Sequence, residues 1–197
     1  NESFKFDITM PYGAKSKFKF GGMGIYKKRD YEILNYFFRL RSVSKISSNP
    51  NSFLQPENVW TADSRKGTYV IGNFEPANSF NAKQTTFAAY AMTELYVTPA
   101  LRAVFGVRAE KAQMFYTGQD NNADNFYNND KTLDELDFLP SLNLVYSLGE
   151  NVNLRGSFNK TLARPSFREK SIAQIFDPIT KRTFNGNINL EETNVNN

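Results

Sequence analysis

The segment FLPSLNLVYSLGENVNLRGSFNKTLA, Phe138 to Ala163, reads as two alternating runs joined at Gly149-Glu150-Asn151. In the first run Phe138, Leu142, Leu144, Tyr146 and Leu148 fall on one side, with Ser141, Asn143, Val145 and Ser147 opposite. In the second, Val152, Leu154, Gly156, Phe158, Lys160 and Leu162 alternate with Asn153, Arg155, Ser157, Asn159 and Thr161. Successive side chains of a strand point to opposite faces, so the pattern predicts a hairpin with one apolar and one polar face. Each run has about ten residues or more, the length a tilted strand needs to cross a bilayer. Strands of soluble sandwiches are usually nearer five or six residues.

Upstream, Phe4, Phe6, Ile8 and Met10 alternate with Lys5, Asp7 and Thr9, which predicts a first strand ending at the turn Pro11-Tyr12-Gly13-Ala14. A second run carries Phe18, Phe20 and Tyr26 on one face and Lys17, Lys19 and Lys27 on the other. Gly21, Gly22 and Gly24 in its middle mark a bend or a close backbone approach. This strand is expected to continue through Tyr31 to Arg41. From about Ser42 to Lys83 the alternation is lost, Ser, Asn and Pro accumulate, and a short helix is expected around Gln55 to Ala62. A connection this long is functional or disordered. Thr85 to Val97 predicts a third strand. A fourth runs from Leu101 to about Tyr116, with Ala103, Phe105, Val107 and Ala109 facing away from Arg102, Arg108 and Glu110. The Asn- and Asp-rich stretch that follows reads as a polar loop, and Arg164 to Glu192 as an irregular stretch before the start of a seventh strand.

Short turns of about three or four residues join strands 1–2, 3–4 and 5–6, whereas loops of roughly 20 to 40 join strands 2–3, 4–5 and 6–7; an up-and-down meander puts all short turns at one end, as outer-membrane barrels do. The expected fold is therefore all-β: an antiparallel up-and-down meander, a segment of a large transmembrane β-barrel with about six strands plus the start of a seventh. Residues 1–197 are read as part of one barrel domain, with long extracellular loops at about 42–83, 118–136 and 164–192. The alternative is a soluble all-β module that binds a ligand such as a carbohydrate, which would show mixed loop lengths and crossing connections.

Composition narrows the function. The 197 residues hold 24 Lys and Arg against 20 Asp and Glu, a net charge of +4, in blocks that alternate with acids rather than forming a basic stripe, so nucleic acid is not an expected partner. Cysteine and histidine are absent, which removes disulfides, thiolate sites, the usual general base and the usual zinc ligand. Carboxylates remain for an enzyme to use, but no pair stands out, and neither catalysis, a metal nor a cofactor is expected. Mean hydropathy is -0.53 and no run of about 18 apolar residues exists, yet an alternating barrel strand gives little hydropathy signal. Asn1-Glu2-Ser3-Phe4 shows no leader pattern, and both ends read as cut from a longer chain.

AAYAMTELYVTPALRAVFGVRAE (88–110), LPSLNLVYSL (139–148) and NLRGSFNKTLARPSFRE (153–169) together resemble the β-barrel of TonB-dependent outer-membrane receptors, with Bacteroidetes-type members most similar. The carrying motifs are Gly106-x-Arg108-x-Glu110, a Leu-Pro-Ser-Leu-Asn strand, and a Leu-Arg strand ending at Arg164-Pro165. Gly186-Asn187-Ile188-Asn189-Leu190 resembles the family's Gly-Asn-Pro-x-Leu, with Ile188 in place of the proline. The resemblance implies a barrel of about 22 strands around an N-terminal plug. It also implies import of a scarce nutrient (iron chelate, cobalamin or oligosaccharide class) energised through TonB. Expected partners are outer-membrane lipid, the receptor's own plug, the TonB complex and a substrate-capturing surface lipoprotein. The expected location is the outer membrane of a Gram-negative bacterium. Six strands cannot enclose such a lumen, so the chain reads as a slice of the wall.

Candidate site residues follow from the faces. Arg108, Glu110, Asn153, Arg155 and Asn159 are expected to face the lumen, either touching plug or substrate or stiffening the wall. The loop residues Trp60, Tyr69, Phe126, Tyr127, Phe167 and Arg168 are substrate candidates, since rings offer a flat face and Arg suits anionic chelates. Packing of the loops on one another is the competing role. Asp120, Asn122 and Asp124 open like a calcium loop, but Asn125 and Lys131 occupy the positions that need Gly and Glu. Gly22-Met23-Gly24 lacks the Gly-Lys-Ser/Thr of a phosphate loop and reads as a bend.

Overall fold

The computed structural model describes residues 1–13, 15–42, 48–73, 75–177 and 179–197. Its strands are β1 (Glu2–Tyr12), β2 (Ser16–Glu32), β3 (Asn35–Arg41), β4 (Gly67–Asn73), β5 (Ser79–Tyr96), β6 (Leu101–Gln119), β7 (Phe126–Gly149), β8 (Val152–Ala163), β9 (Ile175–Asp177), β10 (Arg182–Phe184) and β11 (Thr193–Asn196). One sheet takes the order β1-β2-β5-β6-β7-β8-β11, antiparallel throughout; β3 pairs with β4 and β9 with β10 as separate hairpins. The meander and its single polarity follow the alternation read from the sequence.

Several boundaries differ from the expectation. β2 ends at Glu32, opposite Ser79, because the chain ahead of β5 leaves the extended form for the 3-10 turn Pro76–Asn78. Residues 35–41 pair with β4 instead of prolonging β2. The helix expected near 55–62 is a pair of 3-10 turns, Pro50–Leu54 and Pro56–Asn58. β5 and β6 reach Ser79 and Gln119, and β7 starts at Phe126, so only 120–125 of the expected 118–136 loop lies outside strands. Residue 14 of the first turn and residues 43–47 of the first long loop lie outside the described residues.

Phe105, Val107, Leu142, Leu144, Leu154 and Phe158 share one face and all are exposed. A soluble sandwich would bury them against a second sheet, and here one sheet leaves them uncovered, against the soluble-module alternative. Across the sheet the same face carries Phe4, Phe6, Ile8 and Met10 of β1, the partners of Gly24, Gly22, Phe20 and Phe18 on β2. Along β6 the pattern then inverts. Phe105 and Val107 are apolar on the exposed face, but beyond Glu110 the apolar residues Ala112, Met114 and Tyr116 are buried on the other face, opposite Lys111 and Gln113. β7 inverts in step: Leu136 and Phe138 are exposed outward, whereas Leu133 packs with Ala112 and Met114. Bulges between Met114 and Phe115 and between Tyr116 and Gly118 fall in the inverted half.

On the polar face the glycines permit side chains to cross strands. Tyr90 of β5 passes over Gly21 of β2 and donates its hydroxyl to the Asp7 carboxylate on β1, which Lys5 also pairs at 3.1 Å. A methyl at Gly21 would stand 2.8 Å from the Tyr90 ring and against the Phe6 carbonyl. Gly156 of β8 has open space around it. Gly21→Ala is therefore expected to cost about 1–3 kcal/mol of barrel stability, by overpacking. Gly156→Ala should be neutral or stabilising by about 0.5–1 kcal/mol, by removing backbone entropy. Urea unfolding of the lipid-reconstituted barrel reads both, and equal effects would contradict the crossing.

Candidate functional site

The polar face holds its densest chemistry where the pattern inverts. Glu110 of β6, Asp137 of β7, and Arg164 and Glu192 from the two ends of the 164–192 segment converge there, each with a side chain exposed by a tenth or less. Glu110 and Asp137 are cross-strand partners, so two carboxylates stand side by side on adjacent strands. Like charges so placed repel, and Arg164 resolves the repulsion. One of its terminal nitrogens bonds Glu110 and the other bonds Asp137 Oδ2 at 2.8 Å. Arg108 grips the second Glu110 oxygen through Nε at 2.8 Å and Nη2 at 2.5 Å. Both guanidiniums are forked donors, which suits shared carboxylates.

Glu192 is the loose member. Its Oε2 lies 3.3 Å from Arg164 Nε, but among the described residues neither atom has a hydrogen-bond partner of proper geometry. Three acids face two arginines, so one negative charge is left over. Burial, followed by the neighbouring Asp137, pushes the Glu192 carboxyl up to about 7.

Segment 164–192 crosses the polar face as a strap. Its apolar residues Ala173, Ile188, Phe167 and Ile172 pack on Phe80, Ala82 and Tyr116 of the inverted half. The rings of Tyr31, Phe80 and Tyr116 stack in series at 5.0 and 5.6 Å, and Tyr127 meets Tyr116 edge-on at 6.0 Å. Ser171 is fully buried, its hydroxyl 3.2 Å from the Tyr116 hydroxyl. Lys170 is buried as well, donating to the Leu190 carbonyl at 2.6 Å, and burial pulls its pKa down. The strap's two passes cross at Gly186, whose amide bonds Ser171 O at 2.9 Å, while Asn187 N bonds Glu169 O at 2.7 Å. A side chain at 186 would strike the carbonyls of Arg168, Glu169 and Ser171 together.

Of the residues expected to line the polar face, Arg108 and Glu110 enter this cluster. Arg155 borders a groove of about 380 Å³ with Arg102, Asn143 and Ser157. Asn153 accepts from the Ser147 hydroxyl at 2.8 Å, and Asn159 pairs with Asn197 across the β8 edge. Those two asparagines stiffen the sheet.

The loop candidates do not form one site. Tyr127 and Phe167 belong to the packing beneath the strap, and Arg168 lies over the Phe184 ring at 5.3 Å. Trp60 is docked to β4 through its backbone amide on Thr68 O, and its buried indole N–H has no partner among the described residues. Tyr69 and Phe126 are exposed. The Asp120 carboxylate is used to close its own turn, on Asp124 N at 2.9 Å and Asn125 Nδ2 at 2.6 Å. The sequence reading passed over Asp137, Glu192, Lys170 and Ser171. Their signal was the inverted alternation and the Arg164-Pro165 motif.

Residues 7–197 match the family model described as TonB dependent receptor-like, beta-barrel. No curated protein and no solved structure matches the chain.

Removing Arg164 leaves buried Asp137 and Glu192 without their cation, while Glu110 keeps Arg108. Arg164→Ala is expected to weaken strap docking by about 3–5 kcal/mol, seen as new protease cleavage within 164–192 and faster exchange of the Gly186 and Asn187 amides; unchanged protection would refute the clip. Because the Glu192 pKa is raised from 4.5 to about 7 on folding, the docked strap holds the proton more tightly than the free one. The Glu192 contribution to docking should be fully present below pH 4.5 and be lost as pH rises through 7, and Glu192→Gln should remove that part of the profile.

Proposed function

The chain belongs to the β-barrel family of TonB-dependent receptors, a family of transporters rather than enzymes, and from that premise we propose that it forms part of the wall of an outer-membrane nutrient importer. The observation that carries the reading is the pair of faces on one uncovered sheet: an apolar face with no protein against it, and a polar face bearing the Arg108–Glu110–Arg164 cluster. The apolar face meets lipid and the polar face meets the lumen and the plug. The outward apolar stretch of β6, Leu101 to Ala109, has the length of about 9–11 residues that a tilted strand needs for the hydrocarbon layer. A charge on the lipid side at mid-depth costs about 2–4 kcal/mol for Arg or Lys, which agrees with every charged residue of that stretch lying on the other face.

β1 and β11 present open edges, which further strands of a closed barrel would cover. The tight turn between β7 and β8 then lies on the periplasmic side, and the strap on the extracellular side over the lumen. The imported nutrient is of the iron chelate, cobalamin or oligosaccharide class, and TonB supplies the energy through the plug. A surface lipoprotein that hands over substrate fits the exposed Tyr69 and Phe126.

Two measurements test this. With Trp60 replaced by Phe, tryptophan placed at 105, 142 or 158 of the receptor should be quenched by lipids brominated in mid-chain, and tryptophan at 141 or 157 should not. Equal quenching on both faces would overturn the orientation. Uptake of the cognate nutrient should vanish in cells lacking the TonB complex, and persistence there would overturn the energised mechanism.

A further inference from the structure

The apolar face is not evenly filled. Between β1, β2, β5 and β6 it sinks into a groove of about 830 Å³, with Gly24, Ala89 and Ala109 as a floor and Phe4, Phe87 and Leu136 as walls. Lys111 closes one end of it. Just past that end, four lysines gather on the same face. Lys28 stands directly opposite Lys83, Lys83 opposite Phe115, and Phe115 opposite Lys131, with Lys111 two pleat repeats below Phe115 and drawn toward Lys131 by the Asp134 they share. Two carboxylates serve them: Asp30 pairs Lys28 at 2.9 Å, and Asp134 is shared by Lys111 and Lys131 at 2.5 Å each. Among the described residues Lys83 forms no ion pair, although the Asp30 carboxylate that pairs Lys28 acts on it through space. Glu2, opposite Tyr26 on the edge strand β1 and diagonal to Lys28, is a third carboxylate at the same end of the groove, so the four lysines keep a surplus of one.

Directly opposed like charges destabilise a sheet unless something lies between them. A lipid-facing hollow lined by rings and small side chains is equally unfavourable if left empty, because its walls forgo their dispersion contacts. One molecule relieves both. We propose that the groove and its lysines are a specific site for a phosphorylated membrane lipid, with an acyl chain lying over Gly24, Ala89 and Ala109 and a phosphate held among Lys83, Lys111 and Lys131. The charge surplus selects an anionic head, and the depth of the groove selects a lipid over a soluble phosphate. The site rests on the lipid-facing orientation argued above, and it fixes one annular lipid against five consecutive strands of the wall, β1, β2, β5, β6 and β7.

The test uses the whole receptor, purified in mild detergent and titrated with bisphosphorylated lipid A, with its enzymatically dephosphorylated form, and with inorganic phosphate, read by native mass spectrometry. Wild type should retain one phosphorylated lipid per protein through purification. The triple variant Lys83→Gln, Lys111→Gln, Lys131→Gln should bind roughly a hundredfold more weakly, at about fivefold per lysine. Ala89→Leu, which fills the floor and keeps every charge, should weaken binding by at least about tenfold. Unchanged heat-modifiable mobility on gels shows that each variant is folded. Equal binding of the dephosphorylated lipid, equal competition by inorganic phosphate, binding unaffected in both variants, or a second receptor copy occupying the groove would each overturn the proposal. Tryptophan quenching separates the two readings: quenched positions with no retained lipid sink this site alone, and unquenched positions sink the orientation beneath it.

Discussion

Every backbone N–H and C=O of a strand in hydrocarbon must find a partner in a neighbouring strand, because no water is there to take its place. That requirement binds β1, β2, β5, β6, β7 and β8 into one continuous antiparallel ladder. Once the register is set, all else follows from the two-residue period. Phe105 pairs with Leu142 and Leu142 with Phe158, so the apolar band forms across strands that are far apart in the chain. The same register sets Glu110 beside Asp137 and so creates the repulsion that Arg164 relieves.

The inversion of the alternation divides the wall into two storeys. In the lower, the side chains that avoid water lie on the uncovered face. In the upper they lie on the opposite face, and the strap supplies the cover they need. The charge cluster sits at the boundary, where burial of both kinds meets. A guanidinium shared between two strands and a loop end makes the strap part of the wall, so a force on the strap reaches β6 and β7 directly.

The lower storey was legible in the sequence because alternation of Leu and Phe with Ser and Asn is the signature of a strand with one wet face. Phe138 to Ala163 carried that signature without interruption. The upper storey was not. In NNDKTLDELD the outward positions Lys131 and Asp134 are charged and the inward Leu133 is isolated, so polarity alone reads as loop although the chain is extended. That Arg108 and Glu110 share the face opposite Phe105 and Val107 followed from counting residues in twos. Their partners Asp137, Arg164 and Glu192 did not, since Glu192 is 82 positions from Glu110 and only the folded strap brings them together. The aromatic loop residues were visible as a class, yet which of them pack inward, as Tyr127 and Phe167 do, depends on the strap's path.

The crossing at Gly186 divides the strap by what change it tolerates. Residues 166–173 and 186–190 are locked by three converging carbonyls and a buried lysine, so neither pass can drift without the other. The β9–β10 hairpin between them leaves Ile179 exposed, and among the described residues its two strands pair only with each other and not with the wall. Inserted or exchanged residues can accumulate there while the knot at its base stays shut. The fold thus sets a fixed frame beside a freely variable finger, and a lineage can alter what the mouth of the barrel touches without rebuilding the barrel.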